Sequence, residues 1–72
     1  MTLQQKLGRI VRRRREALSL SQEELADIAG LHRTYISLLE RGLRVPSIAV
    51  VQVLAAALKT TMTSLVAELD RS

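Results

Sequence analysis

The sequence predicts an all-α domain, a compact bundle of five helices, on three observations. Apolar residues recur at every third or fourth position, and no long stretch alternates as a strand would. The helix formers Ala, Leu, Glu, Arg and Gln dominate, and a single proline with three scattered glycines leaves no room for a low-complexity linker. At 72 residues the chain reads as one domain with a thin core, since a chain this short buries only about 60% of the surface its unfolded form exposes.

The first helix is expected from about Thr2 to Leu18, with Leu3, Leu7, Ile10, Val11, Ala17 and Leu18 on one face, ending near Ser19. Ser21-Gln22-Glu23-Glu24 has the S-x-x-E form of a capping box, in which the Ser21 hydroxyl accepts the Glu24 amide and the Glu24 carboxylate accepts the Ser21 amide. The second helix follows, with Leu25, Ile28 and Ala29 inward, and stops at Gly30, where glycine alone turns left-handed without strain. The third spans about Arg33 to Arg41, with Ile36 and Leu39 toward the core and Gly42 at its end. Two helices joined by about three residues including a glycine have the form of a helix-turn-helix, here about residues 22–41. Pro46-Ser47 opens the fourth helix, about Ile48 to Leu58, with Ser47 as N-cap, and Thr61 caps a short fifth, about Met62 to Leu69.

Residues 1–46 carry nine Lys/Arg against five Asp/Glu, and residues 47–72 two of each, so the whole net charge of +4 lies in the first two-thirds. A localised basic surface is the footprint of a polyanion partner. The absence of cysteine excludes disulfides and thiolate metal sites, and the apolar stretches fall short of the ~20 residues of a membrane span. MTLQQKLGRI lacks the unbroken apolar run of a secretory signal, and the expectation is a cytoplasmic chain with neither membrane nor cofactor. Catalysis is not expected: the single histidine, His32, is isolated, and no glycine-rich phosphate loop occurs.

Arg12 to Arg15 form a run of four arginines, an obvious candidate grip on nucleic acid. Successive helical residues step by about 100°, so four in a row sample every side and cannot all face one duplex. With Leu7, Ile10 and Leu18 inward, Arg14 falls on the core face, Arg15 at its edge, and Arg12 and Arg13 outward. Arg14 must snorkel out along its stem or find an acid.

The better candidates lie on the third helix, RTYISLLER. Arg33, Thr34 and Ser37 share the face opposite Ile36 and Leu39. In a helix-turn-helix the N-terminal residues of the second helix meet base edges in the major groove. Arg33 can donate two parallel hydrogen bonds to guanine O6 and N7, and Thr34 and Ser37 are short enough for close approach. Tyr35 can bond a phosphate. His32 either approaches a phosphate or serves only the turn.

SQEELADIAGLHRTYISLLERG resembles the Cro/repressor-like, phage-repressor type of helix-turn-helix regulators. RTYIS followed by ER, a short basic loop and P-S is similar to the controller proteins of restriction–modification systems. The resemblance implies double-stranded DNA as partner, a role in transcription with RNA polymerase as a further candidate partner, and regulation of the chain's own promoter. It implies a phosphate contact from Gln22, contacts to the DNA backbone or an adjacent groove from Arg41 and Arg44, and an internal ion pair between Arg15 and Glu40. Arg14 is a departure, because such regulators usually carry Leu or Ile there.

In the fourth helix, IAVVQVLAAAL, Gln52 is the only polar residue, whereas a helix in so small a monomer should show one polar face. Either it is wholly buried or a second chain covers it. A two-fold homodimer over residues 48–69, through Val50, Val51, Leu54, Met62, Leu65, Val66 and Leu69, would set two recognition helices about 34 Å apart on a palindrome. The alternative is an antitoxin-like module that uses this surface to hold a different protein.

Overall fold

Five helices and no strand make up the computed structural model, which describes residues 1–72: α1 (Leu3–Ala17), α2 (Gln22–Ala29), α3 (Arg33–Glu40), α4 (Ile48–Ala57) and α5 (Met62–Arg71). Every helix starts at a side-chain cap: Thr2, Ser21, His32, Ser47 and Thr61 each accept a backbone N–H from the first turn. Thr2 and Gln5 form a second capping box, a T-x-x-Q match that is legible in the sequence beside the Ser21–Glu24 one. Gly30 closes α2 at φ 70°, and Leu31 N–H donates to the Ala26 carbonyl at 2.9 Å, which turns the chain directly into α3. Ser19 and Lys59 do the same after α1 and α4 at φ 58° without glycine, at some cost in strain.

The main core joins Leu7 and Val11 of α1, Leu25 and Ala26 of α2, Ile36 and Leu39 of α3, and Leu54, Ala57 and Leu58 at and after α4. A smaller cluster, Ile10, Ala55 and Leu65, fastens α5 onto α1 and α4. Each fully buried Leu or Ile contributes about 1.5–3 kcal/mol. Gly8 sets the spacing of α1 and α3: a Cβ there would lie 2.4 Å from the Leu39 carbonyl oxygen, so the helices touch backbone to backbone.

Several expectations need correcting. Ile28 is 58% exposed, because the buried face of α2 centres on Leu25, Ala26 and Ala29 and Ile28 lies beyond its edge. Leu3, in the first turn of α1, is 63% exposed, and Ala17 is also exposed. Leu54 and Leu65, placed at a dimer surface by sequence, are each 1% exposed and belong to the chain's own core. Helix α4 is neither wholly buried nor free all round. Leu54, Ala55, Ala57 and Leu58 point inward, while Ile48, Ala49, Gln52, Val53 and Ala56 form one exposed face.

The arginine run is absorbed almost entirely by acids. Arg14 forms a bidentate pair with Glu68 of α5, Nε to Oε2 at 3.1 Å and Nη2 to Oε1 at 3.0 Å. Arg13 reaches the same carboxylate at 3.4 Å, and Arg12 pairs with Glu16 one turn on. Hydrogen bonds from Arg14 hold the Glu68 carboxyl below its usual pKa against the opposing cost of burial, with the charges of Arg14, Arg13 and Arg71 adding to the effect. No helix is long and apolar enough to cross a membrane, and no group of three His, Cys, Asp or Glu side chains is placed to hold a metal.

Candidate nucleic-acid interface

Helix α3 is held at both ends. At its start, His32 Nδ1 accepts the Thr34 N–H at 3.3 Å, so the only histidine is the helix cap. At its end, Glu40 is drawn under α1 and α2. Arg15 donates from Nε to Glu40 Oε2 at 2.7 Å and from Nη2 to Oε1 at 3.0 Å, and Gln22 Nε2 donates to Oε1 at 3.1 Å. A fourth bond, from Arg15 Nη1 to the Leu20 carbonyl at 2.7 Å, ties in the turn before α2. Both charged side chains are nearly closed to solvent, 10% exposed for Arg15 and 3% for Glu40. The hydrogen bond from Arg15 to Glu40 holds the Arg15 pKa above its ordinary value, outweighing desolvation. Between the ends, Ile36 and Leu39 are fully buried.

That anchoring fixes which face of α3 looks outward. Stepping by about 100° per residue places Arg33, Ser37, Arg41, Thr34 and Leu38 side by side on the flank away from Leu39. Arg33, Thr34 and Arg41 are exposed, and Ser37 and Leu38 half-buried. Two short hydroxyl side chains at the centre of this stripe let a partner approach the backbone, and cations stand at either end. Arg33 has no carboxylate within ion-pair distance. Arg41 Nε leans on the Ser37 carbonyl at 3.4 Å, a contact too long to hold it. Tyr35 lies half-buried to the side, with the Arg44 guanidinium over its ring at 5.2 Å, so these two side chains form one unit rather than two independent points.

The placement of Gln22 differs from a free phosphate ligand. One amide N–H is occupied by Glu40, which leaves one N–H of the amide for another acceptor. The acids Glu23, Glu24 and Asp27 are exposed on α2. Glu24 is occupied by the cap, and its carboxyl sits below the usual pKa because the Ser21 N–H donates to it at 2.8 Å. Of the seven side chains assigned to a dimer surface by sequence, Val50, Val51, Met62 and Leu69 are half-buried, Val66 is 54% exposed, and Leu54 and Leu65 are inaccessible. The exposed α4 face was missed because an apolar run without polar residues hides its phase. The Glu68 partner of Arg14 was missed because it lies on a different helix, far along the chain.

Residues 11–65 match the helix-turn-helix family. Over 65 residues the chain is 43% identical to the control protein C.SmaI of Serratia marcescens, covering 90% of this chain and 77% of that protein. The crystal structure of the restriction-modification controller protein C.AhdI from Aeromonas hydrophila superposes with a TM-score of 0.84 at 40% identity, over 86% of this chain and 94% of that one. SinR, the master regulator for biofilm formation, solved in complex with DNA, superposes at 0.79 with 31% identity, over 83% of this chain and 97% of that one. With α2 and α3 meeting at the Gly30 turn and the outward stripe on α3, the chain belongs to the helix-turn-helix family.

Proposed function

We propose that this chain is a sequence-specific DNA-binding transcription regulator, acting as a homodimer on a palindromic operator, and not an enzyme. The observation that carries the reading is the outward stripe of α3: Arg33, Thr34 and Ser37 on a helix pinned at its far end by the Arg15–Glu40–Gln22 bonds. In this reading Arg33 reads a guanine, Thr34 and Ser37 meet neighbouring bases, and Gln22, His32, Tyr35, Arg41 and Arg44 position the protein on phosphates. Solved relatives support it, since one is a DNA complex and others are restriction-modification controllers. The names "control" and "controller" extend the proposal to regulation of the chain's own promoter and of restriction–modification genes.

Dimerisation rests on exposed apolar surface. Ile48, Ala49, Val53 and Ala56 of α4 are exposed around Gln52, and α5 adds exposed Val66 with half-buried Met62 and Leu69. A small domain gains by covering such a face with a copy of itself. Occupancy then blocks polymerase or recruits it, depending on where the operator lies. Footprinting on the DNA upstream of the chain's own gene tests the proposal. Protection of two symmetric half-sites is expected, and protection no better than on random DNA overturns it.

A further inference from the structure

Of the five arginines on α1, four have an acid within ion-pair distance: Arg14 and Arg15 in bidentate pairs with Glu68 and Glu40, and Arg12 and Arg13 in exposed contacts of 3.4 Å with Glu16 and Glu68. Arg9 is the exception. Its only polar contact is a long one, Nη1 to the Met1 sulfur at 3.7 Å. It stands one residue beyond Gly8, where α1 touches the last turn of α3, and Gln5, one turn earlier, lies against Gly42 at the start of the following loop. Arg9 and Gln5 therefore straddle the C-terminal end of α3, and both line one open concavity with Arg41 and Met1. Glu40 also borders this concavity, but its carboxylate accepts three hydrogen bonds from Arg15 and Gln22 and is not free to repel an anion. The other side of Arg9 borders a second concavity with Lys6 and Arg13, but there Lys6 donates to the main-chain oxygen of Ser72 at 3.1 Å and Arg13 reaches Glu68, which leaves Arg9 as the cation without a partner.

We infer that Arg9 and Arg41 together form a phosphate-binding point at the edge of the base-reading face, and that Arg9 is the α1 arginine that contacts DNA. The inference rests on the DNA-binding reading above and deepens it. Two unpaired guanidinia at one concavity beside the recognition helix suit a backbone phosphate, which carries no sequence information. Arg14 and Arg15 of the four-arginine run instead fasten α1 to α5 and α3.

The test is a salt series of binding titrations on a selected binding site and on random DNA, for the wild type, Arg9→Ala, Arg9→Lys and Arg12→Ala. Arg9→Ala is expected to lower the slope of log K against log salt by about 1, so that the affinity lost between 50 and 200 mM salt shrinks about 3.5-fold, on both DNAs alike. Arg9→Lys should restore most of the slope, and Arg12→Ala, already paired to Glu16, should leave it unchanged. A wild-type slope in Arg9→Ala overturns the inference, as does an equal fall in Arg12→Ala. A wild type that binds neither DNA would refute the DNA-binding reading itself. Circular dichroism melts of the variants check that these exposed substitutions leave the fold intact.

Discussion

Replacing Glu40 with alanine would take away the acceptor of three hydrogen bonds and leave Arg15 charged in a site where its side chain is 10% exposed. Arginine does not escape by losing its proton. Breaking one partner of a buried pair costs about 3–5 kcal/mol, mostly because the survivor is stranded. A domain of this length has about 4–11 kcal/mol of stability in total, so the variant should sit near the edge of unfolding. Urea denaturation followed by circular dichroism reads this directly. With a slope near the low end for small domains, about 1 kcal/mol per molar, the midpoint should fall by about 3–5 M. The double variant Arg15→Met with Glu40→Leu removes both charges and should recover most of the loss, since well-packed apolar replacements of buried pairs are often neutral. It would still leave the Leu20 carbonyl and the Gln22 amide without their partners, a penalty of about 1–3 kcal/mol if water cannot reach them. A midpoint shift below about 1 M for Glu40→Ala would show that Arg15 is not stranded by the loss of Glu40. So would a double variant as unstable as the sum of the two single ones.

Three further outcomes follow from the same structure. Arg33→Ala should cost about 1–3 kcal/mol on the specific site and relax preference at one base pair, while Arg41→Ala should weaken all sequences alike and lower the salt slope by about 1; gel shifts on specific and random DNA separate the two. Val53→Lys or Ala56→Glu on the exposed α4 face should give a monomer by light scattering and leave helicity unchanged, whereas a wild type that is itself monomeric at micromolar concentration would remove the dimer from the account. Glu68 has a folded pKa below the ordinary value of 4.5, so its pairing with Arg14 contributes stability at neutral pH that is lost as pH falls below about 4.5. The advantage of the wild type over Glu68→Gln in urea midpoints should accordingly be full at pH 7 and vanish in acid.

Much of this was legible from local chemistry. The Ser21–Glu24 capping box, the Gly30 turn and the Ser47 and Thr61 caps depend on residues within a few positions of one another, and each marks a helix boundary in the sequence itself. The outward stripe of α3 followed from phase, because Ile36 and Leu39 are unambiguous core residues. What stayed hidden was long-range or phase-ambiguous. Arg14 finds Glu68 only once α5 has folded back across α1. In α4, apolar residues on every side carry no periodic signal, so the sequence named Leu54 as an interface residue when the exposed face is Ile48, Ala49, Gln52, Val53 and Ala56. Ile28 misled in the opposite direction, since a large aliphatic residue at helical spacing is usually buried and here sits just past the edge of the packed face.

In the proposed function α3 reads bases through Arg33 while a two-fold dimer sets the spacing. Selection of bound sequences from a random duplex pool, run in parallel with the wild type and Arg33→Ala, tests it most directly. The wild type is expected to enrich a symmetric motif with half-site centres about one helical turn, ~10 base pairs, apart and a guanine at one position in each half. Arg33→Ala should lose that guanine and keep the symmetry. A motif without two-fold symmetry, or one in which the guanine survives the loss of Arg33, would contradict the account.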